Sequence, residues 1–141
     1  MALKIDLPKL AEFVKGFEGF SPRAFWDHKQ YSFGYGNKAP SATATISKID
    51  AHELLTVRLA KDSTVLAKAL KVPYTNNVLM ALTSFAFNTG LGTALAMVSD
   101  LNAGKTLQAV ADRMKLYKYS SGVINNGLIT RRTAETKKLL S

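Results

Sequence analysis

The chain contains 141 residues, of which 47% are hydrophobic, so it is long enough to build one domain with a substantial buried core. It contains no cysteine, which excludes disulfide bonds, cysteine-ligated metal sites and a cysteine nucleophile. Its formal net charge of +9 favours an anionic partner, such as nucleic acid, an acidic membrane surface or an acidic polymer, although the same charge also serves solubility.

The first predicted element is a helix over residues 5–18. Its apolar residues recur at the three- and four-residue spacing of one helical face. Gly19 suits the C-terminal cap of this helix. Glu18 is therefore expected in the last turn, where the negative end of the helix dipole and the flanking Phe17 and Phe20 favour a protonated carboxyl group.

A strand is predicted next, because residues 31–36 (YSFGYG) alternate between aromatic residues and Ser or Gly. The aromatic side is expected to pack inward. The other side, with Ser32 and Gly34, is almost bare, and we expect a flat ligand to bind close to the backbone there. The sequence thus predicts a small β-hairpin or sheet lobe over about 19–46, which ends in a loop over 37–45.

The rest of the chain is predicted to be helical. Ser47 followed by Asp50 is typical of the start of a helix, which is expected to continue to about residue 70 and to link the two lobes. Thr75 is expected to cap the next helix, whose apolar composition indicates the central buried helix. Further elements follow in chain order: the capped helix at 76–88, helices at 93–102 and 106–117, a loop at 118–127 and a helix at 128–140.

These elements predict an α+β fold, mostly helical, in a single domain over residues 1–141. The helical lobe is expected to cover about 70–141 together with the N-terminal helix. His52 lies on the long helix without acid or histidine partners at ligand spacing, so it is interpreted as solvated or packed rather than as a metal ligand. No cofactor and no metal are expected.

Two acids in different protonation states are what cleavage of a glycosidic bond requires. Glu18 suits the proton donor because of its position at a helix end. Asp27 lies beside His28 and Lys29, so it suits the ionised partner. Ser32 is interpreted as a group that holds a water molecule beside Asp27. An acid at a helix end and another in a loop are also common without catalysis, so spacing alone leaves this hypothesis open.

Four segments of the chain resemble successive signatures of the phage-type lysozymes, or endolysins, which form glycoside hydrolase family twenty-four. They are EGFSPRAFWD, YSFGYG, ALTSFAFNTG and GLITRRTAE, they occur in the family's order, and they span residues 18–135. The resemblance implies an α+β lysozyme fold. It also implies hydrolysis of the β-1,4 bond between N-acetylmuramic acid and N-acetylglucosamine in peptidoglycan, by a Glu, Asp and Thr triad and with inversion.

The resemblance assigns the catalytic Glu to Glu18 and the catalytic Asp to Asp27. The Thr position falls on Ser32, which keeps the hydroxyl group but lacks the methyl group that restricts the rotamer of threonine. The family's usual His after Gly-x-Gly is Asn37 in this chain, which removes a possible charge partner. The departures at Ser32 and Asn37 are expected to affect how the attacking water molecule is positioned more than whether the protein is active.

Further residues match substrate-contacting positions of the family. Phe87 matches an aromatic residue that faces the cleft, although core packing is an equal alternative, and Asn126 and Ser99 match sugar-contacting positions. Arg131 and Arg132 are expected to brace the last helix against an acid or a carbonyl group, with cell-wall binding as the lesser alternative.

Three alternative functions remain open from the sequence. A lytic transglycosylase would act on the same polymer without water, which the Asp27 and Ser32 pair argues against. A nucleic-acid-binding domain would cluster its basic residues on one helix face, whereas here they are scattered. A catalytically inactive wall-binding module would fit the departures at Ser32 and Asn37, but it would not need Glu18.

The expected partner is therefore the glycan strand of peptidoglycan, with no nucleic acid and no stable membrane insertion, bound by a monomer. The N-terminal residues include charges at Lys4, Asp6 and Lys9 and lack the uninterrupted apolar run of a signal peptide, and no segment has the length of a membrane span. We therefore expect the protein to stay in the host cytoplasm until a separate pore releases it to the cell wall.

Overall fold

A computed structural model describes residues 5–27 and 29–141, so residues 1–4 and His28 lie outside the described part of the chain. The described residues form six helices and five strands. Their order is α1 (Leu7–Glu18), β1 (Ser21–Trp26), β2 (Tyr31–Gly34), β3 (Asn37–Lys38), α2 (Lys48–Ala69), α3 (Asn76–Thr89), α4 (Leu91–Asn102), α5 (Leu107–Met114), β4 (Tyr119–Ser120), β5 (Val123–Ile124) and α6 (Asn126–Leu140). The prediction of a mostly helical α+β fold is confirmed.

The chain forms two compact units. The sheet unit is Leu7–Ala60 and contains α1, the strands β1 to β3 and the first part of α2. The helical unit contains residues 5 and 6 together with Lys61–Ser141. The sequence-based division grouped α1 with the helical lobe, whereas the sheet unit includes this helix; the single domain over residues 1–141 stays a prediction.

In the sheet unit, α1 ends where the sequence predicts. Gly19 has φ +62°, a left-handed conformation that glycine adopts without strain, and its amide donates to the carbonyl of Lys15. The chain then turns into β1, which pairs with β2, and β2 pairs with β3, all antiparallel. The loop over 37–45 was only partly predicted, since it begins with β3. Its far end pairs with β1, because Ala24 donates to the carbonyl of Ala44.

The bare side of β2 is covered rather than open, which corrects the sequence-based interpretation. Ser32 is 1% exposed and Gly34 is also buried. A Cβ atom added to Gly34 would lie 3.0 Å from the Cβ of Ala51, so α2 fills the space where a flat ligand was expected. On the other side of β2, Phe33 is buried as predicted but Tyr31 is 41% exposed.

Helix α2 begins as predicted, since the amide of Asp50 donates to the hydroxyl of Ser47 at 3.1 Å. The predicted cap of α3 is also confirmed, because the hydroxyl of Thr75 accepts from the amide of Val78 at 3.1 Å. Ten consecutive residues of α3, from Val78 to Phe87, are buried. This helix is therefore the centre of the helical unit, where it packs mainly against α6 and α4.

The region after α5 differs from the predicted loop. It contains a two-stranded hairpin, in which Tyr119 pairs with Ile124 and Ser120 pairs with Val123. Strands of two residues carry too little periodicity to be recognised in a sequence. Helix α6 also begins two residues earlier than predicted.

Arg131 braces α6 against a carbonyl group of α3, as predicted, and Arg132 contacts the side chain of Asn88 in α3, whereas the acid that both arginines contact belongs to α6 itself. The Nε atoms of both arginines lie 3.1 Å from the carboxylate of Glu135, and Arg131 also donates to the carbonyl of Ser84 at 3.0 Å. All three charged side chains are buried. Burial raises the pKa of Glu135, while the two guanidinium groups and the hydroxyl of Ser84 act in the opposite direction.

None of the described helices is both long enough and apolar enough to cross a membrane.

Candidate active site

Asp27 lies immediately after β1, at the turn that leads into β2. Its Oδ1 atom accepts hydrogen bonds from the backbone amides of Lys29 at 3.0 Å and Gln30 at 2.9 Å. Its own amide donates to the carbonyl of Gln30 at 2.9 Å. The side chain of Asp27 therefore closes the turn of the hairpin, a role for which Asp is well suited because its short carboxylate reaches amides two and three residues ahead.

The second oxygen of Asp27 accepts a hydrogen bond from the hydroxyl group of Ser32. The strand register explains this contact, since Ser32 pairs with Phe25 and therefore lies two residues from Asp27 along the paired strands. Three donors thus converge on one carboxylate. Hydrogen bonds of this kind stabilise the ionised form of an acid and fix its orientation.

Glu18 is the last residue of α1 and is partly buried. It occupies the helix end predicted from the sequence, directly before the left-handed Gly19. Glu18, Asp27 and Ser32 all belong to the sheet unit. The structure brings Asp27 and Ser32 into direct contact, and the catalytic role of all three residues stays a prediction.

The other residues predicted to contact the substrate differ from one another in burial. Phe87 is 6% exposed in α3, as its alternative role in core packing requires, and Ser99 is exposed in α4. Asn126 is exposed as the first residue of α6, rather than in a loop before it, and Asn125 caps that helix through its side chain. These three residues belong to the helical unit. Gly34 is buried in β2 and faces Ala51.

Gln30 is a polar neighbour of this site that the sequence interpretation missed. Its side-chain amide donates to the hydroxyl of Ser32 at 3.2 Å, and its backbone amide is one of the two that hold Asp27. A signal was present in the sequence, because Gln30 is a polar residue two positions before Ser32 and directly before the predicted strand.

Comparison with known proteins identifies the family of the chain. The family described as Phage lysozyme matches residues 15–135, a segment that contains Glu18, Asp27 and Ser32. The chain belongs to the phage lysozyme family. The endolysin of Bacillus phage PZA is 34% identical over 129 residues, which cover 86% of this chain and 50% of that endolysin. The chain therefore spans about half the length of this relative.

Solved structures of phage lysozymes and a related muramidase domain have the same fold. The endolysin from Escherichia coli O157:H7 phage FAHEc1 is 27% identical, with a TM-score of 0.83 over 100% of this chain and 96% of that one. The muramidase domain of SpmX from Asticcacaulis excentricus is 24% identical, with a TM-score of 0.84 over 98% and 99% of the two chains. The predicted lysozyme-like fold is confirmed.

Proposed function

We propose that this chain is a lysozyme, a peptidoglycan hydrolase that cleaves the β-1,4 bond between N-acetylmuramic acid and N-acetylglucosamine and lyses bacterial cells. Membership of the phage lysozyme family supports the substrate and the reaction class. The observation that carries the proposal is the carboxylate of Asp27, which is oriented by two backbone amides and by the hydroxyl of Ser32. A glycosidase needs one carboxylate held ionised in this way.

In the proposed reaction, Glu18 donates its proton to the glycosidic oxygen as the bond to the anomeric carbon breaks. Asp27 removes a proton from the water molecule that attacks the anomeric carbon on the opposite face of the sugar. The reaction leaves Glu18 ionised and Asp27 protonated, and exchange with solvent restores both. Because Ser32 donates its proton to Asp27, its first task is to hold the carboxylate, and contact of its oxygen with the attacking water stays a prediction.

The expected stereochemical outcome is inversion. Inverting glycosidases separate their two carboxyl groups by about 6.5–9.5 Å to admit water, whereas retaining enzymes use about 5–5.5 Å. Proton NMR of the first products reports the anomer before mutarotation. Release of the α-anomer supports inversion by direct attack of water. Release of the β-anomer would contradict inversion and indicate a retaining reaction with a covalent intermediate on Asp27.

Mass spectrometry of products released from purified peptidoglycan tests the function, with wild type and Glu18→Gln in parallel. The substitution removes the transferable proton and changes little volume. We expect ordinary reducing N-acetylmuramic acid ends from the wild type and none from the variant, with equal thermal unfolding. Substantial activity of Glu18→Gln would overturn the role of Glu18.

The same experiment separates the alternatives. A lytic transglycosylase would release products with anhydro ends, because the sugar's own hydroxyl group replaces water. If the chain is an inactive wall-binding module, neither the wild type nor Glu18→Gln will release products from peptidoglycan, but both will sediment with it.

The proposal extends to how the protein meets its substrate. Peptidoglycan carries lactyl and peptide carboxylates, so the net charge of +9 attracts the protein to the wall, and added salt weakens this attraction. The protein is proposed to act as a monomer and to reach the wall from the host cytoplasm through a separate pore. A rise in activity with salt up to physiological ionic strength would contradict the electrostatic part.

A further inference from the structure

We propose that Gln30 is a positioning residue for the hydrolytic reaction: its side-chain amide fixes the hydroxyl group of Ser32 in the orientation that donates to Asp27. This inference rests on the proposed function, in which Asp27 is the ionised base. In this role the side chain of Gln30 acts on Asp27 through Ser32.

The geometry connects Gln30 to both members of the pair. Its side-chain nitrogen lies 3.2 Å from the Oγ atom of Ser32, and its backbone amide donates to Asp27 at 2.9 Å. The backbone contact holds Gln30 against the carboxylate. From this position directly before β2, its side chain reaches Ser32 in the strand.

The number of available protons determines the direction of these bonds. A serine hydroxyl has one proton and two acceptor sites, and an ionised carboxylate only accepts. The proton of Ser32 therefore goes to Asp27, and the group that Gln30 presents to Ser32 has to be a donor, its amide nitrogen. Donation by Gln30 occupies one lone pair of the hydroxyl oxygen. It also polarises the O–H bond toward Asp27.

Serine needs such a restraint because it has no methyl group on Cβ. A β-branched residue is restricted at χ1 by its own substituents, whereas serine can exchange among three rotamers. Ser32 is 1% exposed, so water from bulk solvent does not readily replace a lost partner. A hydroxyl group that turned away would no longer donate to Asp27.

Gln30→Leu tests the proposal because leucine keeps the backbone amide and similar bulk but cannot donate to Ser32. A neutral hydrogen bond contributes about 0.5–1.5 kcal/mol, so kcat is expected to fall about three- to tenfold while KM changes less than about twofold. Gln30→Leu in a Ser32→Ala background is expected to cause no further loss. Ser32→Thr is expected to restore part of kcat to Gln30→Leu, since the added methyl group restricts χ1.

A measurement independent of activity accompanies the kinetics. Three-bond NMR couplings between the Hα and Hβ protons of Ser32 report its χ1 populations, and we expect one rotamer in the wild type and averaging in Gln30→Leu. An unchanged rotamer in Gln30→Leu, or an equal loss of kcat in the Ser32→Ala background, would overturn the proposal. An inactive wild type whose Ser32 rotamer still depends on Gln30 would instead refute the hydrolase function and leave the restraint established.

Discussion

The hydroxyl group of Ser32 donates a hydrogen bond to the carboxylate of Asp27 across the turn that joins β1 to β2. The two residues are five positions apart, and antiparallel pairing of the strands brings them together. The same turn supplies two backbone amides to the other carboxylate oxygen. The hairpin therefore forms this part of the candidate site by its own folding.

Removal of the hydroxyl group of Ser32 should lower the rate of peptidoglycan hydrolysis without abolishing it. A hydrogen bond to a charged group contributes about 1.5–3 kcal/mol, so Ser32→Ala is expected to lower kcat on peptidoglycan about 10- to 100-fold. Two amides still hold Asp27 in this variant. The measurement is the rate of release of reducing ends, with Ser41→Ala as the control, since Ser41 is an exposed serine in the same unit. Equal rates for Ser32→Ala and wild type would remove Ser32 from the site.

Asp27→Asn should separate catalysis from folding at this turn. The side-chain oxygen of asparagine can still accept from the two backbone amides, so the melting temperature is expected to change little. Asparagine cannot accept a proton from water, and loss of a general base typically costs about 10²–10⁴ in rate. Activity assays and thermal unfolding of the same sample test both statements. A large fall in melting temperature would show that the negative charge of Asp27 stabilises the turn between β1 and β2.

Gly34→Ala should destabilise the protein more than Gly19→Ala. Both glycines have a left-handed φ, +61° and +62°, so both variants incur the backbone strain of about 1–2 kcal/mol. Only Gly34 faces a neighbour, Ala51, and overpacking of this kind typically adds about 1–3 kcal/mol. Urea unfolding of the two variants measures the difference.

A double variant isolates the contact between β2 and α2. Ala51→Gly removes the atom that the new methyl group would meet, although glycine in a helix itself costs about 1 kcal/mol. We expect the cost of Gly34→Ala to be smaller in the Ala51→Gly background than in the wild type. Equal costs in the two backgrounds would mean that the methyl group fits against α2 without strain.

Loss of the acid between the two buried arginines should destabilise the helical unit. Glu135 is 0% exposed and contacts Arg131, Arg132 and the hydroxyl of Ser84. Removal of one partner from a buried ion pair typically costs about 3–5 kcal/mol because the other charge is left uncompensated. We therefore expect Glu135→Gln to lower the free energy of unfolding by an amount of this order.

A surface pair provides the matched control for Glu135→Gln. Glu12 lies 3.3 Å from Lys15 on α1, and its side chain is 74% exposed. Glu12→Gln is expected to cost less than about 1 kcal/mol, because solvent screens exposed pairs. If chemical denaturation gives similar losses for the two variants, the arginine cluster does not stabilise the fold in the manner described.

The contact between α4 and α5 should give a stability that depends on pH. The hydrogen bond from Arg113 at 2.7 Å, with the charges of Arg113 and Lys105, lowers the pKa of Asp100 below its ordinary value of 3.8. An acid with a lowered pKa in the folded state stabilises the protein above its unfolded pKa, and this contribution is lost as the pH falls through the folded pKa. The stability advantage of wild type over Asp100→Asn should therefore be constant above about pH 5 and should shrink below 3.8.

Thermal unfolding of both proteins across this range measures the effect. Asp112→Asn controls for the change in net charge, since Asp112 accepts from the neutral side chain of Gln108. An advantage of wild type that stays constant down to pH 2 would show that ionisation of Asp100 does not contribute to stability.

The sequence by itself determined the elements whose causes are local. Periodicity predicted the helices, and short-range capping placed their ends, as at Gly19, Ser47 and Thr75. The candidate acids were predicted in the same way, since the helix end that holds Glu18 and the turn that holds Asp27 depend on neighbours within a few residues. The four matching segments identified the family because their order along the chain is a property of the sequence.

Only the tertiary structure decided what covers each surface. The bare side of β2 was expected to face a ligand, yet Ala51 of α2 occupies it, because the strand and the helix pack together where neither has a large side chain. The pairing of Ser32 with Asp27 depends likewise on strand register, which a period of two residues does not specify. Local patterns fix an element and its exposed polar groups, whereas contacts between elements depend on packing that no single segment encodes.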